Sequence, residues 1–435
     1  MQAPLQSPIK IVIVGGGTGG TLAANLLAKE LRHEIHSGEV RVQLISAAPT
    51  HIFQPGYLHV AFKNQDPRGI IRQERTLVSA DVQQISQDAE RLDLKSRTVT
   101  LLSGEKIAYD YLIVATGSVP NPTAIPGLSE AALNFHTSPS ESAKIWKTLE
   151  QFDDGHIVIG IAGVPHKCPP SPNEATFLLD DYLRERGIRE KVKVTFVTPY
   201  PRAYPAEPMS RVVEPRFKDR GIEVVTFFNV DSVDPVKREL TSLEGESLNY
   251  DLLIMVPPHR GADLVMKSGI GDSDGWIPTD KNSLRINGYE NEYAIGDATN
   301  IPVSKTGVTA HLQAMVAARN IAASVRNRSE LYKYNGRINC PFEMGSGKAA
   351  FVVGSYDMPV KEIHPNRIRY LMKKVFANFY WHTLSGNWDW LLNTYFGKTF
   401  EKEVVPKEER VKVTETVQVA SRSKNSAREP APPML

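Results

Sequence analysis

A short apolar run, Lys10-Ile-Val-Ile-Val14, passes directly into Gly15-Gly-Gly-Thr-Gly-Gly20 and then into the helical stretch Thr21 to Leu31. Gly15, Gly17 and Gly20 hold the G-x-G-x-x-G spacing, with a strand before them and a helix after. The first glycine makes the turn and the second lets a pyrophosphate approach the backbone. The third lets the helix pack closely on the strand. The helix start then presents free N–H groups to the phosphate. The chain is therefore expected to open with a βαβ unit that binds a dinucleotide.

In such a unit the second strand, here Val40 to Ile45, should end in an acidic residue that binds the adenosine ribose. Ser46 stands there instead. Its hydroxyl can make one hydrogen bond to the ribose but lacks the two-oxygen grip of a carboxylate. His51-Ile-Phe-Gln-Pro55-Gly-Tyr57 is an aromatic turn that reads equally as a surface loop or a cofactor contact. Val82 to Ile85, Arg97 to Leu102 and Ala108 to Val114 alternate apolar and polar residues and are expected as strands of a small inserted sheet, with Val82 counted among the cofactor contacts. The last of these ends in Ala115-Thr116-Gly117, which places Thr116 and Gly117 as a second pass of the chain against the dinucleotide.

A second α/β unit is expected over roughly 153 to 285. A helix from Ser138 to Phe152 leads into it, with Ile145, Trp146 and Leu149 on one face. The run His156-Ile-Val-Ile-Gly160 reads as a buried strand, and a nicotinamide-binding glycine loop would follow it in a two-dinucleotide enzyme. The chain has Cys168 there, with Pro169, Pro170 and Pro172 crowded after it. Prolines lack the N–H groups that such a loop uses, so the next helix is expected only from about Glu174 to Arg186. Strands at Val192 to Thr198 and Ile222 to Phe228, with a helix at about Ser210 to Arg220 between them, complete the alternation.

The first unit is expected to return over 286 to 335. Glu292-Tyr-Ala-Ile-Gly-Asp297 ends a short strand, and Lys305-Thr306-Gly307 precedes a helix running from about His311 to Arg326. Asp297 could accept from a polyol hydroxyl of the cofactor, and Lys305 would add a positive charge beside it. A last section, 336 to 402, opens on Cys340, the only other cysteine in 435 residues. Two cysteines make no disulfide framework, so a pairing between them would be catalytic. Arg367 to Trp381 mixes cations with aromatics, and Trp388, Trp390, Leu391, Leu392, Tyr395 and Phe396 continue the pattern. That suits helices lying in a membrane interface, and it equally suits a dimer contact or a helix packed on the body. Residues 403 to 435 are expected as a disordered tail.

A net charge of +2 gives no reason to expect a nucleic-acid partner, and no metal-ligand set is read. Met1 to Lys10 has neither the basic start nor the apolar core of a signal peptide, and no run approaches the roughly 18 apolar residues that span a bilayer. The expected architecture is thus α/β, with two Rossmann-like dinucleotide-binding-type domains in tandem and a C-terminal amphipathic segment.

From Lys10 to about Lys402 the chain resembles the sulfide:quinone oxidoreductases, among the two-dinucleotide disulfide-reductase-like flavoproteins. The glycine loop, Ala115-Thr-Gly117 and Gly296-Asp297 match the broad flavoprotein pattern. Lys167-Cys168-Pro-Pro with Glu174, Lys305-Thr-Gly307, and Cys340-Pro-Phe342 with Gly347-Lys348 match more narrowly. The resemblance implies FAD as cofactor, hydrogen sulfide as substrate, a membrane quinone as acceptor and peripheral attachment to the membrane, and it leaves a homo-oligomer open. It implies that Cys168 and Cys340 flank the flavin and carry sulfur. Lys167 or Lys348 would stabilise the thiolates, and Glu174 or His136 would handle protons. Phe342, Phe379, Tyr380 or Trp381 would stack on the quinone. Some members carry a third cysteine upstream, and His136 stands nearest that position here. The rival enzymes are an NADH:quinone oxidoreductase and the flavin subunit of a sulfide dehydrogenase with a cytochrome acceptor. A non-catalytic flavin scaffold is the rival from another class.

Overall fold

The computed structural model describes residues 7–388 and 400–404. The expectations placed on Trp390, Leu391, Leu392, Tyr395, Phe396 and residues 405–435 lie outside the described residues.

Two parallel sheets organise the chain. The first has five strands in the order Glu292–Ala294, Tyr111–Val114, Ile9–Val14, Val40–Ile45, Val82–Ile85. Ile11, Ile13, Leu112 and Ile113 are fully buried, as strands covered on both faces require. Helices Thr18–Glu30 and Gly307–Val325 pack on each other against this sheet. The second sheet runs Glu223–Val225, Val192–Val197, Gly155–Ile161, Leu252–Val256. Strand Ser118–Pro120 pairs with His259–Gly261 and joins the two units.

Three expectations need correction. Val82–Ile85 and Tyr111–Val114 belong to the main parallel sheet. The inserted antiparallel sheet is Ala89–Asp93, Thr98–Leu101 and Lys106–Ala108. Tyr111–Val114 is a continuous apolar run buried along most of its length, which marks a central parallel strand rather than an alternating one. The helix after Cys168 begins at Ser171 rather than Glu174, with Pro172 in its first turn. Proline is tolerated there because its φ is already helical and the first N–H groups have no partner within the helix. The helix after Lys305 starts at Gly307, earlier than His311, because Thr306 caps it by accepting from the Thr309 N–H at 3.2 Å.

The last section is a hairpin, Ile338–Glu343 with Ala349–Gly354, followed by helix Arg367–Thr383 packed on it. Cys340 lies on the first hairpin strand opposite Val352. Strand Phe400–Val404 pairs antiparallel with Glu330–Tyr334 and so runs past residue 402. No helix among the described residues is long and apolar enough to cross a membrane.

Candidate active site

The glycine loop is built as a cradle. A Cβ on Gly20 would lie 1.8 Å from the Gly15 carbonyl oxygen, and one on Gly15 would lie 2.4 Å from that of Ala115. These two glycines are required by the packing of loop, helix and neighbouring strand. Gly17 differs, since a Cβ there would meet nothing within 4 Å. It caps helix Thr18–Glu30, which has no side-chain cap and no acidic residue in its first turn, so its N-terminus is open to an anion. Across the loop the Thr116 hydroxyl is buried without a hydrogen-bond partner, and Gly117 turns with φ +69° beside open space. Asp297 receives only a long contact from the Ser118 hydroxyl, 3.4 Å, and burial raises its pKa against the pull of Lys167 and Lys305. Lys305 donates to the carbonyls of Asp297 (3.1 Å) and Thr299 (2.5 Å) and sits 4.0 Å over the Trp276 ring. Burial lowers its pKa to about 8. An open helix N-terminus, an unsatisfied hydroxyl and a buried carboxylate, each following one of three adjacent strands of the first sheet, suit FAD. The Val82 side chain is buried. It lies in the apolar core, while Gln84 and Ile85 of the same strand and Ser86 just after it line a cleft with Ser46.

Cys168 is held in a left-handed conformation, φ +53°, which is strained for a residue with a side chain. Three hydrogen bonds hold it there. Its N–H donates to the Lys305 carbonyl at 2.7 Å, and its carbonyl accepts from the Ser171 N–H (2.9 Å) and hydroxyl (2.8 Å). The loop that carries the thiol is thereby tied to the Lys305 segment. His136 reaches the same Ser171 hydroxyl at 2.8 Å, and His259 lies 3.4 Å from its other ring nitrogen. Both histidines are buried. Burial, aided by Lys167, His166 and, for His259, Lys305, holds them far below the ordinary imidazole value, His259 at about 3.

Cys168 and Cys340 are free thiols that face each other. Contact with the Cys168 thiol, followed by burial and the nearby Glu174 carboxylate, raises Cys340 well above the ordinary thiol value, and Lys373 opposes that rise. Phe342 is fully buried and stacks on Tyr204, ring centroids 5.7 Å apart, so it belongs to the core rather than to an open stacking surface. Tyr204 in turn lies near both sulfurs. Glu174 accepts from the Glu343 N–H at 2.6 Å and pairs with the Lys373 ammonium. Lys373 also lies 3.5 Å from Glu343, whose carboxylate pairs in addition with Lys63 and, at 3.2 Å, with His59. Burial alone would lower Lys373, but the two carboxylates raise it above its ordinary value. Burial likewise disfavours charge on Glu343, and His59, Lys373 and Lys63 overcome it and hold the carboxyl ionised.

Lys373 is the functional residue least legible in the sequence. It stands in the cationic aromatic stretch Arg367 to Trp381, where every lysine looks alike until the helix is docked. The expected cations divide. Lys167 is buried near Cys168 and Asp297 and donates to Gln54 at 2.9 Å, whereas Lys348 lies in the hairpin turn beyond Glu343. Of the aromatic candidates, Tyr380 packs its ring 4.6 Å from Phe53 and turns its hydroxyl inward, within 2.7 Å of both Thr18 and His51. Trp381 is half-buried under the Arg72 guanidinium, and Phe379 meets Trp388 edge-on at 4.9 Å.

The chain is 27% identical over 397 residues to the mitochondrial sulfide:quinone oxidoreductase of Mus musculus, with 87% of each covered. It is 26% identical over 406 residues to the sulfide-quinone reductase of Aquifex aeolicus, covering 87% of this chain and 91% of that one. A type II NADH:quinone oxidoreductase of Staphylococcus aureus is 24% identical, with 75% of this chain and 86% of the relative covered. The crystal structure of the Aquifex aeolicus sulfide:quinone oxidoreductase superposes with a TM-score of 0.81 at 24% identity, over 92% of this chain and 98% of that one, and so shares the fold. The family model for pyridine nucleotide-disulphide oxidoreductases matches residues 9–319, from the first strand through the glycine cradle and the Cys168 loop to the Lys305 helix, and the chain belongs to that family.

Proposed function

We propose that the chain is an FAD-dependent sulfide:quinone oxidoreductase in which Cys168 and Cys340 form the sulfur-handling pair. The observation that carries this reading is the pair itself. Two thiols far apart in sequence face each other, Cys340 buried and Cys168 half-buried, the latter tied by its backbone to the Lys305 segment. In the oxidised enzyme the two sulfurs are joined. Hydrosulfide attacks Cys168, a new S–S bond forms there as a persulfide, and the Cys168–Cys340 bond breaks with its electron pair leaving on Cys340 as a thiolate. Lys373 is the ammonium that stabilises this thiolate, and Glu174 holds Lys373 in place. Ser171 and His136 hold the Cys168 loop in its strained turn. FAD bound in the cradle would take up the two electrons released, with loss of the persulfide proton, as the Cys340 thiolate bonds to the outer sulfur on Cys168, and would hand them to a quinone.

Helix Arg367–Thr383 supports attachment to a membrane surface. Ile368, Leu371 and Val375 are 72%, 62% and 60% exposed along one stripe. At about 100° per residue, Lys373 and Tyr380 fall on the opposite side. This helix turns Lys373 and Tyr380 toward the protein and exposes an apolar stripe with Arg367, Lys374 and Asn378 exposed alongside it, a mixture that suits a lipid interface. Trp381, Phe379 and the ring of Tyr380 lie along this helix and would line the quinone entry.

The test is to follow the flavin absorbance anaerobically, adding sulfide or NADH separately and then a short-chain quinone. Bleaching by sulfide alone with recovery on quinone is expected, as is loss of the sulfide response in Cys340→Ser. Bleaching by NADH would overturn the reading in favour of an NADH:quinone oxidoreductase.

A further inference from the structure

We propose that Glu74 supplies the carboxylate that grips the adenosine ribose of FAD, in place of the acidic residue that strand Val40–Ile45 lacks. The proposal rests on reading the glycine loop as an FAD site. Ser46 and Glu74 converge on the same residue of that loop: a Cβ on Gly16 would lie 2.4 Å from the Ser46 hydroxyl and 3.3 Å from the Glu74 carboxyl carbon. Both side chains line one cleft, together with Ala48, Gln84 and Ile85 at the ends of the neighbouring strands. Glu74 comes from the short helical turn Glu74–Thr76, far from the strand end where an acid would be sought.

Glu74 is only 5% exposed, so its charge must be satisfied where it lies. Its Oε1 accepts from the Thr21 hydroxyl at 2.5 Å and its Oε2 from His51 Nδ1 at 3.1 Å. A carboxylate offers roughly four acceptor positions, so about two remain, the number that a ribose diol uses. His51 is itself held: its Nε2 meets the Tyr380 hydroxyl at 2.7 Å, and Tyr380 meets the Thr18 hydroxyl at 2.7 Å. Thr18 and Thr21 are on the helix that the glycine loop opens, so the network closes on the cradle from both sides. Tyr380 acts as a positioning residue for Glu74, by way of His51.

The experiment titrates cofactor-free protein with FAD, with FAD lacking the adenosine 2′-hydroxyl, and with FMN, and reads flavin fluorescence. The wild type is expected to bind FAD roughly tenfold or more tightly than the 2′-deoxy analogue, as loss of a charge-assisted hydrogen bond implies. Glu74→Gln should bind the two alike, with FMN affinity unchanged from wild type. Tyr380→Phe should reduce the discrimination part-way. Equal binding of FAD and the 2′-deoxy analogue by the wild type would overturn the proposal without requiring any variant to fold. Discrimination that persists in Glu74→Gln would also overturn it and leave Ser46 as the ribose ligand. Failure of the wild type to bind FAD at all would instead refute the cofactor reading beneath it.

Discussion

Lys373→Met removes the cation shared by two buried carboxylates, and the structure says where the damage falls. Glu343 keeps Lys63 and His59, but Glu174 is left with only the Glu343 N–H. Breaking a buried pair from one side costs about 3–5 kcal/mol, and with Glu343 still paired the lower figure applies, about 3 kcal/mol. Adding Glu174→Gln removes the stranded charge, so the double variant should return to within about 1 kcal/mol of wild type. The pH range is fixed by the two shifts. Glu343 is depressed below 4.5, so its contribution is present above that value and is lost as the pH falls. Lys373 is raised above 10.5, so its contribution is present below that value and is lost as the pH rises. The neutral range therefore carries the full effect. Urea unfolding at pH 7.5 of wild type, both single variants and the double variant measures it. A Lys373→Met variant as stable as wild type, or strictly additive single variants, would refute the assignment of Lys373 as partner to Glu174.

Gly17→Ala should fold and melt like wild type yet bind FAD weakly, because its Cβ meets only the space a pyrophosphate would fill. Gly20→Ala should fail to reach the native fold, since its Cβ would lie 1.8 Å from a carbonyl oxygen. Thermal melts and flavin titration separate the two. Thr116→Val should leave the cofactor-free protein no less stable, because the hydroxyl it removes has no partner there, and should weaken FAD binding by about 1 kcal/mol. Burial holds His259 at about 3 and His166 at about 4, both below the ordinary 6.5, so the unfolded chain takes up protons first as the pH falls. Each should cost about 1.4 kcal/mol per pH unit between 6.5 and its folded value, and His259→Gln should flatten the acid limb of a stability-against-pH curve by about one proton.

The glycine loop, the alternation of strand and helix and the two cysteines were readable in order along the chain, because each rests on local spacing. The sheet that Val82 joins is not legible in the sequence, because a short alternating run does not reveal its pairing partner. That choice is made by pairing with Val42 on the strand Val40–Ile45. The start of the Cys168 helix is not legible from its prolines, because the first turn accepts one. Lys373, Glu343 and Glu74 could not be found by motif at all. Each is an ordinary charged residue whose role comes from burial against partners more than a hundred residues away, or, for Glu74, against Thr21 and His51 from separate elements.

Helix Arg367–Thr383 draws these long-range contacts together. Lys373 and Tyr380 are two turns apart, so one face of one helix delivers an ammonium to Glu174 beside Cys340 and a hydroxyl to the network behind the glycine cradle. The opposite face carries the exposed Ile368, Leu371 and Val375. If that stripe lies on a lipid surface, movement of the helix away from the body would pull Lys373 from Glu174 and Tyr380 from His51 together. Thiolate stabilisation and cofactor grip would then weaken as one event. Vesicles, by drawing the helix outward, should accordingly lower FAD affinity in the wild type and leave it unchanged in a Leu371→Glu variant, which places a charge in the stripe without touching either inward contact. An equal response in both proteins would show that the stripe does not carry the coupling.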